Sequence, residues 1–392
     1  MKNNYLPTDY QTFIATSRYA RWLEDEGRRE TWGETVHRYM KHIVYQALPS
    51  LGEPVDDYDY GALEIEIRDA ILSLEVMPSM RSLMTAGKAA DRDNTCMYNC
   101  SYLPVDDPKS FDEAMFILLC GTGVGFSVER QFIAKLPDVP TLFQSDTTVV
   151  IKDSKEGWAK GLRQVLALLW AGEIPKWDVS KVRPAGARLK TFGGRASGPA
   201  PLIDLFNFSV TTFRQAQGRK LSSIECHDLM CKIGEVVVVG GVRRSAMISL
   251  SNLSDDRMRH AKSGNWWETA GHRALANNSV AYTDKPDSMS FMREWTALME
   301  SGSGERGVFN REASIKQAAK NGRRESCYEF GTNPCSEIIL RPNQFCNLTE
   351  VVVRATDSFE DLARKVRLAT VLGTIQSTYT HFPYLRKVWN TN

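Results

Sequence analysis

The sequence predicts an α/β fold in which a helical N-terminal region precedes alternating strands and helices. From about residue 8 to 90, apolar residues recur at three- and four-residue intervals with charged residues between them, which is typical of amphipathic helices. After about residue 100, short apolar runs alternate with helical patterns. The 392 residues suffice for two or three domains, or for one large α/β domain with elaborations.

The helical region is expected to span residues 1–90. Its clearest helical patterns run from Thr31 to Leu48 and from Tyr60 to Leu74. The segment Met77-Pro78-Ser79 then interrupts the periodicity. We therefore expect a separate helical layer before the α/β part of the chain.

Residues 91–392 are expected to form an α/β barrel or a layered α/β structure. Helices are predicted at Asp107 to Leu119, 155–172, Cys226 to Val239, Met289 to Ser301 and Phe359 to Tyr379. Strands are predicted at Ala246 to Leu250, Asn277 to Tyr282 and Gly307 to Asn310, and Asn333 to Leu340 is a turn leading into a strand. Residues 176–201 lack periodicity but contain apolar and aromatic side chains, which predicts an ordered functional loop.

Composition excludes several classes of protein. The 42% hydrophobic and 24% charged residues are ordinary globular values, which excludes disordered and collagen-like chains. The formal net charge of +2 disfavours a protein that coats a nucleic-acid polymer, although a local anion site remains compatible with it. The N-terminus has no signal-peptide core, and no apolar run approaches the length of a membrane span. We expect a cytoplasmic protein without a membrane partner.

Eight cysteines are too few, in a chain of this length, for the dense disulfide framework of a small secreted domain. The sequence contains no C-x-x-C pair and only six histidines, so we expect no metal site. Cysteines in such a chain are buried core residues, metal ligands or redox-active groups.

One cysteine lies in a chemically crowded segment, Asn333-Pro334-Cys335-Ser336-Glu337. The Asn-Pro step predicts a tight turn, and strand alternation after it would place Cys335 and Glu337 on the same side. A sulfur reactant and a general acid or base would then face one substrate. The alternative, favoured by the residues alone, is a buried cysteine followed by a surface glutamate.

Two further cysteines, Cys100 and Cys346, each precede a short apolar segment. If they meet in space, they can cycle between dithiol and disulfide and deliver two electrons. The spacing does not show that they meet, and two small core residues are the alternative.

Glycine-rich and basic segments leave similar alternatives open. Gly121 to Gly125 follows a helix and lacks the third glycine at the dinucleotide-binding spacing, so a dinucleotide site is only weakly indicated. The alternative is a close backbone approach, with or without a ligand. Basic residues among glycines suit a phosphate, although a solvated basic loop has the same composition. The candidate phosphate- or effector-binding residues are Arg183, Arg188, Lys190, Arg195 and Arg243.

Together these segments resemble the catalytic subunit of ribonucleotide reductases. The resemblance covers the chain in order from about Met77 to the C-terminus. The motifs that carry it are Asn333-x-Cys335-x-Glu337, Cys346, Asn99-Cys100, Gly121 to Gly125, Gly240-Gly-Val-Arg-Arg-Ser and Asn277-Asn278-Ser-Val. The segment WDVSKVRPAGARLKTFGGRASGP is most similar to the monomeric, adenosylcobalamin-dependent class II ribonucleoside-triphosphate reductases.

The resemblance implies a role for each candidate residue. Cys335 would become a thiyl radical that abstracts the ribose 3′ hydrogen, Glu337 would deprotonate the 3′-hydroxyl, and Asn333 would hold the sugar hydroxyls. Cys100 and Cys346 would reduce the 2′ position and end as a disulfide. The implied substrate contacts are Ser79, Asn99 and Gly123.

The resemblance also implies a fold and partners. The family fold is a ten-stranded α/β barrel of two five-stranded halves, of which this chain would hold the first, with an effector-binding insertion at about 130–225. The implied partners are a ribonucleoside triphosphate, a deoxynucleoside triphosphate effector, thioredoxin or a similar dithiol, and a C-terminal half of the reductase from a split, intein-divided or truncated gene. Without that half, and without adenosylcobalamin, the chain is expected to be inactive.

The alternatives are a class I large subunit that receives its radical from a partner protein, and a non-catalytic nucleotide-binding fragment.

Overall fold

A computed structural model describes residues 6–48, 60–187, 195–239, 246–322 and 324–391. The α-helices are α1 Asp9–Ile14, α2 Trp32–Tyr39, α3 Tyr45–Ala47, α4 Tyr60–Leu72, α5 Met80–Thr85, α6 Lys88–Arg92, α7 Lys109–Leu119, α8 Arg130–Ile133, α9 Lys155–Trp170, α10 Ala200–Gln215, α11 Ser223–Val239, α12 Asp256–Arg259, α13 Trp266–Thr269, α14 Ser288–Ser301, α15 Arg311–Ala319 and α16 Phe359–Ser377. The strands are β1 Trp22–Leu23, β2 Arg28–Arg29, β3 Val76–Met77, β4 Cys100–Pro104, β5 Gly123–Ser127, β6 Phe143–Val150, β7 Glu173–Asp178, β8 Met247–Asn252, β9 Asn277–Tyr282, β10 Gly307–Asn310, β11 Gly331–Thr332, β12 Ile339–Leu340, β13 Gln344–Cys346 and β14 Glu350–Val351.

The chain divides into two compact units. The first comprises Met1–Asn99, Cys346–Pro383 and Trp389–Thr391, and the second comprises Cys100–Phe345, Tyr384–Val388 and Asn392. The first unit thus extends the predicted helical region by a segment from the end of the chain.

The first unit is mainly helical. Helix α2 begins at a capping box, in which the Thr31 side chain accepts from the Glu34 N–H and the Glu34 carboxylate accepts from the Thr31 N–H. The long C-terminal helix α16 contributes Gln376, whose Oε1 accepts hydrogen bonds from the Tyr39 hydroxyl at 3.3 Å and from the Ser79 N–H at 3.0 Å. Gln376 therefore fixes the backbone of Ser79, one of the predicted substrate contacts.

The second unit is built on a sheet whose strand order is β10-β9-β8-β5-β4-β13, with Gln344 and Phe345 of β13 in this unit. Strands β4, β5, β8, β9 and β10 pair in parallel with one another, in the order β4-β5-β8-β9-β10. Helices connect successive parallel strands, for example α7 between β4 and β5 and α14 between β9 and β10. The α/β prediction is confirmed, and β9 and β10 have the predicted bounds.

The segment between β5 and β8 contains a second, smaller sheet. Strands β6 and β7 pair in parallel, and α9 connects them as a βαβ unit. Leu162, Val165 and Leu169 of α9 are buried. This unit falls within the predicted insertion at about 130–225.

Helix α7 carries a buried carboxyl group, Asp112, which is fully buried in the second unit. Its Oδ2 accepts hydrogen bonds from Arg163 Nε at 2.8 Å and from the Tyr384 hydroxyl at 2.7 Å. Its Oδ1 has no partner among the described residues. Burial outweighs these favourable contacts and raises the pKa of Asp112 to about 6.

We expect Asp112→Asn to change how stability depends on pH. Because the folded-state pKa is above the usual value of 3.8, the contribution of Asp112 is complete below about pH 4 and is lost as the pH rises through about 6. Relative to the variant, the wild-type chain should lose about 2 kcal/mol of unfolding free energy between pH 4 and pH 7. Urea unfolding at several pH values measures this difference, and a pH-independent difference would contradict the assignment.

Candidate active site

The predicted turn around Cys335 is present and joins two short strands. Strand β11 pairs antiparallel with β12, with Gly331 opposite Leu340. Within the connection, the Ser336 N–H donates to the Asn333 carbonyl at 2.9 Å, and Ser336 has a left-handed φ of 67°. Cys335 and Glu337 therefore lie in the turn before β12 begins, so the strand alternation predicted for them does not apply.

The turn exposes its reactive side chains and buries its amide. Cys335 and Glu337 are exposed, which makes the alternative of a buried Cys335 wrong. Asn333 is fully buried, and its Oδ1 accepts the Ile338 N–H at 3.0 Å. Its Nδ2 has no partner among the described residues. This amide can therefore donate a hydrogen bond to a bound molecule.

The Cys335 thiol is protonated at neutral pH. Partial burial raises the pKa of Cys335, and the nearby Glu337 carboxylate and Cys100 sulfur raise it further. Glu337 is two residues from Cys335 in the same turn, and Cys100 Sγ and the Pro334 ring both lie within 3.5 Å of the position of a Cβ on Gly123. A protonated thiol retains the S–H bond that hydrogen-atom transfer requires.

The turn lies against one face of the sheet in the second unit. Cys100 and Tyr102 of β4 are in register with Gly123 and Gly125 of β5, so all four positions share one face. A Cβ on Gly125 would lie 1.8 Å from the carbonyl oxygen of Thr332. The close-approach interpretation of the glycine-rich segment is therefore confirmed.

Gly123 connects the turn to Cys100. A Cβ on this glycine would lie 2.9 Å from Pro334 Cγ and 3.5 Å from Cys100 Sγ. The second unit thus brings together five of the predicted residues. These are Cys100, Gly123, Asn333, Cys335 and Glu337.

The other three predicted site residues lie together in the first unit. The Ser79 hydroxyl donates to Asn99 Oδ1 at 2.7 Å, and the Asn99 N–H donates to the carbonyl of the buried Cys346 at 3.1 Å. The Ser79 hydroxyl also caps α5, accepting from the Arg81 N–H at 3.2 Å. The redox pairing of Cys100 with Cys346 stays a prediction.

The predicted phosphate-binding residues do not form one described cluster. Arg183 Nε donates to Asp153 at 2.7 Å, and Arg195 Nη1 donates to the Gly186 carbonyl at 2.9 Å. Arg188, Lys190 and Arg243 lie outside the described residues. Their role in binding an effector stays a prediction.

Sequence reasoning missed the residues that support the turn. Gly331 lies against Tyr102, because a Cβ there would be 2.1 Å from two carbons of the ring. Arg311 and Glu129 form a buried ion pair with a 2.5 Å contact, and Arg311 Nε also donates to the Phe330 carbonyl at 2.7 Å. Glu129 and Arg311 are separated by 182 residues, so no local pattern identifies the pair.

The described residues contain no group of three histidine, cysteine or acidic side chains placed to hold a metal ion. Among the helices in the same part of the chain, none combines the length and the apolar character needed to cross a membrane.

Comparison with known proteins gives consistent matches. The family model "B12-dependent ribonucleotide reductase, insertion domain" matches residues 135–211. Adenosylcobalamin-dependent ribonucleoside-triphosphate reductases of Lacticaseibacillus paracasei and Lactobacillus helveticus are 31% and 28% identical, in alignments that cover 85% of this chain and 53% of each relative. The chain therefore spans about half the length of the curated relatives it matches.

A solved structure shares the fold. The crystal structure of a B12-dependent (class II) ribonucleotide reductase superposes with a TM-score of 0.74 at 23% identity, covering 94% of this chain and 59% of that one. The fold of this chain is thus that of part of a ribonucleotide reductase α/β barrel.

Proposed function

We propose that this chain, together with a further part of the reductase, reduces ribonucleoside triphosphates to 2′-deoxyribonucleoside triphosphates. The proposal starts from the similarity of the chain to class II, adenosylcobalamin-dependent ribonucleotide reductases. One observation carries this proposal. An exposed, protonated cysteine lies on a glycine-supported turn beside a carboxylate and a second cysteine. Thiyl-radical reduction of a ribose needs these groups within reach of one sugar.

In the proposed reaction, each side chain of the turn acts on a different part of the ribose. Cys335 exchanges a hydrogen atom with the 3′ carbon, and Glu337 takes the proton of the 3′-hydroxyl. The unpaired Nδ2 of Asn333 donates to a sugar hydroxyl, which supports its assignment as a substrate-holding amide. Gly123, Ser79 and Asn99 are proposed as substrate contacts.

The two electrons of the reduction come from a pair of thiols. The 2′-hydroxyl leaves as water, hydrogen replaces it at the 2′ carbon, and Cys100 and Cys346 lose two protons and two electrons to form a disulfide. One turnover therefore consumes the dithiol, and thioredoxin or a similar external dithiol must regenerate it. This requirement fits a reducing compartment, which for this chain would be the cytoplasm.

The exposure of Cys335 fits the proposed cofactor, adenosylcobalamin. A thiol at the tip of an exposed turn can be reached by a bulky group, whereas a thiol beneath the sheet cannot. When bound, adenosylcobalamin supplies the radical by homolytic cleavage of its cobalt–carbon bond. The part this chain plays is to present the Cys335 S–H, since the raised pKa keeps that thiol protonated.

The insertion is proposed to bind a deoxynucleoside triphosphate effector. Its match to the insertion-domain model and its compact β6-α9-β7 unit support this assignment. Effector binding there would change which base is reduced by shifting the population of active-site conformations.

The alternatives have less support. The relatives whose alignments cover 85% of the chain are named as adenosylcobalamin-dependent enzymes. These names do not favour a class I large subunit. A non-catalytic fragment would have no reason to keep Cys335 and Glu337 together on an exposed turn.

Mixing the chain with a separately produced C-terminal half, adenosylcobalamin, a dithiol and CTP tests the proposal. We expect dCTP to form and one disulfide to appear for each dCTP when the external dithiol is omitted. CDP in place of CTP tests the preference for triphosphates. Absence of dCTP from the complete mixture, with both polypeptides folded and associated, would refute the proposed function.

A further inference from the structure

Two buried charges meet behind the turn that carries Cys335. Glu129 follows β5 and Arg311 begins α15, and their side chains are 0% and 3% exposed. Two parallel hydrogen bonds join them, Arg311 Nη1 to Oε1 at 2.8 Å and Nη2 to Oε2 at 2.5 Å. The Ser127 hydroxyl also donates to Glu129 Oε2 at 2.7 Å. The carboxylate is therefore held from two directions.

The same guanidinium holds the chain that leads into the turn. Arg311 Nε donates to the carbonyl of Phe330 at 2.7 Å, and Phe330 directly precedes β11. A second contact reinforces this connection, since Gln131 Nε2 donates to Glu129 at 3.1 Å and to Glu329 at 3.2 Å. The end of β5, the start of α15 and the approach to β11 thus meet at one guanidinium group.

We propose that the Glu129–Arg311 pair positions the Cys335 turn and that Arg311 is a positioning residue for the reaction. The inference rests on the proposed function in one respect, namely that Cys335 is the reacting thiol. A buried ion pair contributes little net stability compared with an apolar pair, so stability alone does not explain it. Its fixed bidentate geometry instead defines where β11 begins. The approach of Thr332 to Gly125 and of Pro334 to Gly123, and hence the position of the adjacent Cys335, depends on that point.

A second buried pair in the same unit provides a matched control. Arg306 Nη2 lies 2.6 Å from Glu294 Oε1, the two side chains are 1% and 5% exposed, and the pair is also bidentate. The guanidinium of Arg306 also donates to Ser251 Oγ and to the carbonyls of Asn252 and Leu253, at and just after the end of β8. This pair has the same chemistry and burial but no bond to the segment before Cys335.

The proposal is tested by comparing two variants of the full chain, Arg311→Lys and Arg306→Lys, each assayed with the C-terminal half. A lysine at 311 retains a charge for Glu129 but loses the guanidinium fork that reaches the Phe330 carbonyl at the same time. For Arg311→Lys we expect kcat to fall about 100-fold with KM changed by less than about threefold, because a small misplacement of the thiol affects the chemical step. Hydrogen exchange of the amides of residues 331–340 should become about tenfold faster, which corresponds to loss of one hydrogen bond. Arg306→Lys should change neither quantity.

Each result decides the matter. Equal effects of both substitutions on kcat and on exchange at 331–340 would overturn the positioning role, as would unchanged exchange in Arg311→Lys. If Arg311→Lys does not fold, Glu129→Gln, which keeps one acceptor oxygen for Arg311 but removes the charge and the second acceptor, should show the same changes to a smaller degree. If the wild-type mixture forms no dCTP, the proposed function fails, and exchange at 331–340 alone then supports or refutes the positioning role.

Discussion

Cys335→Ser is expected to abolish deoxynucleotide formation, with a loss of at least about 1,000-fold in kcat. A hydroxyl occupies nearly the same space as the thiol, so the turn and its contacts with Gly123 and Gly125 should be preserved. The O–H bond is much stronger than the S–H bond, however, and serine cannot exchange a hydrogen atom with the ribose. Initial rates of dCTP formation by the mixture with the C-terminal half measure the effect.

Cys327→Ser is the matched control, because Cys327 is also exposed and lies eight residues earlier in the chain. We expect it to retain full activity. Substrate binding should survive in Cys335→Ser, so equilibrium dialysis with CTP should give a similar Kd for both variants. Residual dCTP formation above about 0.1% of wild type in Cys335→Ser would show that another group starts the reaction.

The parts of the fold that the sequence predicted have strong local signals. Strand β9 is buried at every residue after its first, and its bounds agree with the prediction. The helix predicted from Asp107 to Leu119 is α7, which Pro108 precedes as its N-cap and whose apolar residues are buried. Strand β5 had no such signal, because two of its five residues are glycine. It is extended because it pairs with β4 on one side and β8 on the other.

The candidate site likewise has one part that the local sequence predicts and one part that it does not. The turn at Asn333 to Glu337 was predictable because its residues are adjacent and Asn-Pro favours a turn. The approach of Cys100 to Cys335 was not, since it depends on the register of β4 with β5 and on the course of β11 across them. Resemblance to a family supplied that association, whereas Glu129 and Arg311 belong to no motif and emerged only from the folded chain.

Gly125→Ala is expected to have the second largest effect, because the added methyl group has no room. Its Cβ would lie 1.8 Å from the Thr332 carbonyl oxygen and 3.0 Å from the carbonyl carbon, and both are backbone atoms that cannot rotate away. Strand β11 must therefore move off the sheet, and Cys335 must move with it. We expect a loss of about 3 kcal/mol in unfolding free energy and on the order of 100-fold in kcat.

Gly271→Ala is the control for this substitution. No atom lies within 4 Å of the position where its Cβ would be built, and Gly271 does not need a left-handed backbone. We expect its unfolding free energy and activity to match the wild type within about 0.5 kcal/mol and twofold, as for a surface substitution. Urea unfolding of the chain and dCTP formation with the C-terminal half measure both quantities. If Gly125→Ala retained wild-type activity, the turn would not need its present distance from β5, and the glycine in this strand would have no catalytic consequence.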